Sequence, residues 1–150
     1  MRLTDILRVA MAAVCLLGLS LVSLAQAQAQ QIILKLHHFV PPSSTAHSRF
    51  LLPWVERIEK ASNGRIKIQI YPAMQLGGSM SQLLDQVSDG VVDIAWALPG
   101  ASAGRYPAFE AFELPFMTKT AQGASRALWE YVHANKIDQT EFKAVKLLAT

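Results

Sequence analysis

Apolar and polar positions along this chain form blocks that predict strands and helices in turn. Residues 32–39 are rich in apolar and β-branched side chains and stop at Pro41-Pro42, which predicts a strand followed by a break. In residues 65–71, isoleucines alternate with polar residues, the pattern of a strand with one buried face. Residues 91–98 are almost continuously apolar, which is typical of a strand covered on both faces.

Helical spacing fills the interval between the first two strands. Residues 50–58 place apolar side chains every three or four positions, and residues 43–45 offer serine and threonine as N-caps. Asn63-Gly64 supplies the C-cap. Pro53 predicts either a kink or a regular helix that begins there, because proline is tolerated in the first turn and costly later.

A second, shorter helix is predicted between the second and third strands. It follows the Gly77-Gly78 turn, has Ser79 or Ser81 as its N-cap, and ends at Asp89-Gly90. Strands that alternate with helices pair in parallel through right-handed crossovers. The predicted fold class is therefore α/β, a parallel-rich sheet flanked by helices.

The last third of the chain has a looser pattern. Residues 109–116 form an apolar segment broken by Pro115, which predicts a strand that leads into a loop. Thr118 is the predicted N-cap of a helix that runs to about Asn135, and residues 143–149 predict a further strand. A strand at the extreme C-terminus with no helix to cover it predicts that a larger fold has been cut.

The start of the chain predicts export. A basic beginning is followed by residues 9–24, which are almost all apolar or small, and residues 25–29 contain two small-x-small cleavage sites. We predict a signal peptide over residues 1–29, cleaved after Ala27 or Ala29. A membrane anchor is disfavoured because the apolar run is shorter than the ~20 residues that a spanning helix needs.

Composition then narrows the possible chemistry. The one cysteine, Cys15, lies in the predicted leader, so the mature chain has no disulfide, thiolate metal site or cysteine nucleophile. The formal charge of +3 includes no basic run, which disfavours nucleic acid as a partner. Residues 30–150 have the length of one domain.

Few residues point to catalysis. His37 and His38 are adjacent on a predicted strand, so their side chains face opposite sides and cannot readily chelate one ion. At most one of them faces a cleft. The Gly77-Gly78 turn lacks the lysine of a phosphate-binding loop, and no nucleophile-elbow motif occurs. Trp96 is either core or a ligand contact, because open α/β sheets bind ligands at the carboxyl ends of their strands.

Five short segments, taken in order, carry a resemblance to a known family. They are residues 34–39 (LKLHHF), 64–68 (GRIKI), 71–78 (YPAMQLGG), 89–94 (DGVVDI) and 114–116 (LPF). Together they resemble the solute-binding proteins of tripartite ATP-independent periplasmic (TRAP) transporters, the C4-dicarboxylate-binding or DctP-like type. The similarity covers essentially all of the predicted mature chain.

The resemblance implies a periplasmic receptor of two lobes, of which residues 30–150 are an incomplete first lobe. Such a receptor closes around a small organic acid and delivers it to the membrane subunits of the permease, with no catalysis, cofactor or metal. In relatives the ligand is contacted from the ends of the first and third strands and from the Gly-Gly turn. The matching positions here are His38, Phe39, Gly78, Ser79, Trp96, Leu98, Pro99 and Gly100.

Two differences from the family bear on the ligand. Residues 79–81 read Ser-Met-Ser in place of the acidic residue and arginine common in relatives, so this turn offers no charged group. The arginine that holds the ligand carboxylate in the family lies beyond Thr150, and Arg105 and Arg126 do not match its position. Two alternatives stay open: a secreted enzyme that uses His38, and a truncated chain without function. The sequence fixes neither the acid nor the oligomeric state.

Overall fold

A three-stranded parallel sheet forms the centre of the structure. The computed structural model describes residues 30–150, and the predicted signal peptide lies outside the described residues. The strands are β1 (Ile32–His38), β2 (Ile66–Tyr71) and β3 (Ile94–Trp96), in the spatial order β2-β1-β3. All pairings are parallel, which confirms the predicted α/β class.

The register of the sheet brings the carboxyl ends of the strands to one edge. β1 pairs with β2 from its start, where Ile32 lies opposite Ile66. It pairs with β3 only near its end, where His38 lies opposite Trp96. Ligand sites of parallel sheets lie at this edge, so the register places the predicted site residues where a ligand can meet them.

The helices of the described chain are α1 (Leu52–Ala61), α2 (Leu83–Ser88), α3 (Pro107–Glu110), α4 (Ala121–Ala134) and α5 (Ile137–Thr140). α1 connects β1 to β2 and packs against β2, and α2 connects β2 to β3 and packs against β3. Tighter or wider helical turns are a π-helical turn (Ala46–Leu51) and three 3-10 turns (Met80–Gln82, Pro99–Ser102, Ala111–Glu113). Among residues 30–150, every helix is too short or too polar to span a bilayer.

The first helix shows how Pro53 is accommodated. α1 begins at Leu52, so Pro53 lies in its first turn, where a missing backbone N–H costs nothing. The residues before it form the π-helical turn, and Ser44, which precedes this turn, accepts the backbone N–H of His47 on its Oγ at 3.1 Å. Of the two predicted outcomes, the regular helix beginning at the proline is the one confirmed.

Two strand predictions are wrong, and a third is confirmed only over part of its length. The strand predicted over residues 91–98 is only Ile94–Trp96, and the segment 109–116 forms helical turns instead. Residues 143–149 form no strand. Their apolar side chains serve packing: Phe109 is buried in a cluster, and Val145 and Leu147 pack against the same cluster. Within the described residues no strand pairs with the outer edge of β3, which leaves these segments without a ladder to join.

The apolar residues form two clusters. The sheet cluster consists of Leu36, Leu51, Val55 and Ile68. The C-terminal cluster consists of Tyr106, Phe109, Val132, Ile137 and Phe142. In the second cluster the ring of Phe142 stacks on Tyr106 with centroids 4.8 Å apart and meets Phe109 edge-on at 5.4 Å. These ring contacts anchor the helices that follow β3.

Candidate functional site

An aromatic pair marks the edge where β1 and β3 end. Phe39 follows β1 directly and Trp96 is the last residue of β3, so the parallel register makes them neighbours. Their rings stack with centroids 5.2 Å apart and planes 4° from parallel. Both side chains are half-buried, which leaves part of the pair open to a ligand. We call these two residues the aromatic pair.

Behind the aromatic pair lie two buried histidines. His38 Nε2 is 2.9 Å from Nδ1 of His47, and the His38 ring stands edge-on to Trp96 at 6.3 Å. One nitrogen of the contact must donate and the other accept. Burial lowers the pKa of His38 to about 4, the nearby His47 and His37 add to the shift, and the backbone of Val40 opposes it.

His38 is therefore neutral at pH 7 and has no exposed surface. A ligand could touch its ring only if the surrounding residues moved. In the structure the His38 ring contacts Trp96 edge-on, and its hydrogen bond to His47 joins the end of β1 to the π-helical turn. Among residues 30–150, no group of three His, Cys, Asp or Glu side chains is placed to hold a metal ion.

His37 projects to the opposite face of the sheet, as its position next to His38 on the strand predicts. Its Nδ1 lies 2.6 Å from Gln86 Oε1, and its Nε2 accepts the backbone N–H of Leu76 at 3.4 Å. Gln86 Nε2 in turn donates to the carbonyl of Gly77 at 3.0 Å. His37 and Gln86 thus hold the Gly-Gly turn against β1 and α2.

The Gly-Gly turn needs both of its glycines. Gly77 and Gly78 have φ values of +83° and +84°, which favour glycine, and a Cβ on Gly78 would lie 2.7 Å from Gln86 Nε2. Ser79 follows with its N–H donated to Gln82 Oε1 at 2.8 Å, and its hydroxyl lies 2.9 Å from that of Ser81. Ser79 is exposed, so this hydroxyl can be reached from solvent.

The loop after β3 carries the remaining predicted residues. Leu98 is exposed, while Pro99 is buried and opens a 3-10 turn. The N–H of Gly100 donates to Glu113 Oε1 at 3.0 Å, and a Cβ on Gly100 would collide with that carboxylate. Ser102 Oγ donates to the carbonyl of Ser81 at 2.9 Å, which ties this loop to the turn after the Gly-Gly pair.

Glu113 and Ser102 are the site-forming residues that the sequence analysis missed. Each acts through one contact to a residue distant in sequence, Gly100 and Ser81 respectively, and such contacts leave no periodic pattern. The Pro-Gly pair at positions 99 and 100 was the available signal, since a glycine in a loop can mark a close approach. It does not identify the partner.

A separate apolar pocket of about 140 Å³ lies against the sheet. Its walls include Leu36 and Ile94 of the sheet, Trp54 of α1, and Leu147 from the C-terminal segment. A dry cavity of ~150 Å³ accepts one benzene ring, so this space matches a single ring in size. Of the eight predicted contacts only Trp96 lines it, so the pocket adjoins the end of β3 through this residue, and the other seven contacts lie outside it.

Comparison with known proteins gives a consistent family. Residues 36–150 match the DctP family, described as "Bacterial extracellular solute-binding protein, family 7". Over 122 residues the chain is 30% identical to "Outer membrane transporter protein TsaT" of Comamonas testosteroni. That alignment covers 81% of this chain and 36% of TsaT.

Two solved structures share both fold and sequence with the chain. One is a TRAP solute-binding protein from Rhodoferax ferrireducens T118 in complex with copurified benzoate, with 48% identity, a TM-score of 0.74, and coverage of 79% of this chain and 36% of that one. The other is a marine metagenome TRAP solute-binding protein specific for aromatic acid ligands, in complex with metahydroxyphenylacetate. It has 49% identity, a TM-score of 0.74, and coverage of 79% and 37%.

These relatives show which class of protein the chain resembles and how much of each relative it covers. The chain spans 36% of the length of TsaT and of the Rhodoferax protein. The parallel sheet flanked by helices matches a lobe of a TRAP periplasmic binding protein. The family and both solved structures are solute-binding proteins for transport. The chain belongs to the DctP family of bacterial extracellular solute-binding proteins.

Proposed function

We propose that the chain forms part of the periplasmic solute-binding component of a TRAP transporter, with an aromatic monocarboxylate as its ligand. The component captures the acid and delivers it to the membrane permease subunits. In this proposal residues 1–29 are a cleaved signal peptide and residues 30–150 an incomplete first lobe. The chain supplies binding and no catalysis.

The observation that carries the ligand class is the aromatic pair. Phe39 and Trp96 present half-buried stacked rings at the strand ends, and a third ring can add to them by offset or edge contact. Contacts of this kind contribute ~0.5–1.5 kcal/mol beyond the apolar area buried. The two solved relatives at 48% and 49% identity hold benzoate and metahydroxyphenylacetate, which supports a ligand with a ring.

The carboxylate of the ligand needs a partner from elsewhere. The segments 37–39, 77–82 and 96–104 contain no Lys or Arg, so the predicted contacts offer apolar surface, hydroxyls and backbone N–H groups. In the family the carboxylate is held by an arginine beyond the position of Thr150, and a bidentate arginine is the strongest such partner. Binding energy shared between two lobes is what shifts an open receptor towards its closed form.

A catalytic role for His38 has less support. Its ring is buried, hydrogen-bonded to His47 and packed against Trp96, so it cannot reach a substrate proton without rearrangement. His37 is equally buried and is bonded to Gln86 and Leu76. The geometry of both imidazoles fits positioning of the strand ends.

The test is thermal unfolding against a panel of acids. A ligand that binds only the folded protein raises the unfolding midpoint by mass action. We expect benzoate and 3-hydroxybenzoate to raise it more than succinate or gluconate, in the exported chain or in the longer product if the reading frame continues past Thr150. Equal shifts for all four acids, or shifts for succinate alone, would contradict the aromatic ligand.

A matched pair of variants locates the ligand. Phe39→Leu removes a ring of the aromatic pair and keeps an apolar side chain, and we expect benzoate affinity to fall about three- to tenfold. Phe50→Leu makes the same change at an exposed residue that lines the separate pocket. If benzoate occupies the pocket instead, calorimetric titration will show the loss in Phe50→Leu and not in Phe39→Leu.

A further inference from the structure

Glu113 places a carboxylate on the loop assigned to the ligand. Its Oε1 accepts the N–H of Gly100 at 3.0 Å, four residues after Trp96, and the glycine leaves just enough room for it. Glu110, three residues earlier along the same helical segment, accepts the N–H of Gly104 at 2.9 Å. Two carboxylates thus accept hydrogen bonds from the backbone of the 99–104 loop.

Two contacts with the segment 81–85 also hold this loop and the residue that follows it. Ser102 donates to the carbonyl of Ser81, and Arg105 forms an ion pair with Asp85 on α2. This ion pair engages Arg105, the arginine nearest in sequence to the loop, and the hydrogen bond that Arg105 donates to Asp85 is the main cause that raises the pKa of Arg105. The carboxylate of Glu113 lies against Gly100, one of the predicted ligand contacts, and forms no ion pair within residues 30–150.

We propose that Glu113 is a specificity-determining residue, which turns the ligand carboxylate away from this lobe and disfavours acids with a second anionic group on the ring. The inference rests on the proposed function. Backbone N–H groups in the loop after β3 are donors that an anionic group could use, but the N–H of Gly100 already donates to the carboxylate of Glu113. A second anion placed there would lose a donor and meet a like charge.

The expected size of this effect is modest, because Glu113 is exposed and water screens its charge. Two like charges that approach each other near a screened surface oppose each other enough to change affinity about three- to tenfold. The rings of the aromatic pair carry no charge, so the charge of Glu113 does not weaken their contacts with the ring of a monocarboxylate. A neutral substituent such as a hydroxyl is accepted where a carboxylate is not.

The variant Glu113→Gln tests the charge separately from the hydrogen bond. Glutamine has nearly the same shape and its Oε1 can still accept the Gly100 N–H, but it carries no charge. Glu110→Gln is the matched control, since it makes the same change on the bond to Gly104. We would measure Kd for benzoate and for benzene-1,4-dicarboxylate by calorimetry, with the longest product of the reading frame.

We expect the ratio of the dicarboxylate Kd to the benzoate Kd to fall about three- to tenfold in Glu113→Gln and to stay unchanged in Glu110→Gln. Glu113→Ala, which removes both charge and bond, should lower the ratio in the same way. A fall in Glu113→Ala alone would assign the effect to loop geometry and overturn the inference. An unchanged ratio with intact benzoate binding would overturn it and leave the proposed function standing. If wild-type protein binds no aromatic acid, the proposed function fails and the inference fails with it.

Discussion

At the scale of single residues, the buried contact between His38 and His47 couples folding to protonation. The pKa of His38 is lowered to about 4 from an ordinary value of 6.5, mainly by burial. Between these values the unfolded chain binds a proton that the folded chain does not, so the contribution of this group to stability is complete above pH 6.5. It is lost as the pH falls towards 4.

We expect the free energy of unfolding to drop by as much as ~3 kcal/mol over this pH window. Urea unfolding between about pH 7.5 and pH 4.5 measures the drop in wild-type protein and in His38→Gln, which should depend less on pH. His133→Gln is the control, because His133 is an exposed residue at the end of α4. If His38→Gln keeps the full wild-type pH dependence, other groups cause it.

The candidate site could be predicted at this scale only in part. Phe39, Gly78 and Trp96 stand in short motifs next to strand ends or turns, where sequence position alone fixes their place. The burial of His38 could not be read from its position, because it depends on His47, which folds back from the next element. The role of Glu113 could not be predicted for the same reason, since its contact with Gly100 is made only when the chain folds.

At the scale of elements, α4 shows how one hydroxyl sets a helix boundary. The predicted N-cap, Thr118, is wrong: α4 begins at Ala121, and Thr120 Oγ1 accepts the N–H of Gly123 at 3.1 Å. Thr120→Ala should cost ~1 kcal/mol of stability because it leaves that N–H without its acceptor. Thr118→Ala should cost less than ~0.5 kcal/mol. Urea unfolding of both variants checks this, and equal losses would refute the assignment.

Helices and strands whose apolar residues repeat at a regular spacing could be predicted from the sequence. Strands that form only beside a neighbouring strand could not. β2 and α1 follow from alternation and helical spacing that the residues 65–71 and 50–58 carry themselves. The apolar run at 91–98 and the segment 143–149 have strand composition, but a strand also needs a neighbour to bond. Only Ile94–Trp96 finds one, in β1.

At the scale of the whole molecule, stability rests on two clusters, and the C-terminal one depends on Phe142. This residue is 2% exposed and contacts two aromatic rings, so Phe142→Ala should cost ~3–5 kcal/mol. Phe116 is fully exposed with a φ of +65°, so Phe116→Ala should leave stability within ~0.5 kcal/mol. Chemical unfolding compares the two, and similar losses would contradict this division of the core.

The sheet has one further property at this scale. β1 is the first strand of the sequence and also the middle strand, and both of its partners are supplied by residues that come much later. No ladder can form until residue 66 has been synthesised, and the sheet is complete only after residue 96. Contacts between distant residues slow folding. Because the middle strand is made first and both of its partners later, the sheet closes only when about half of the described chain has been made.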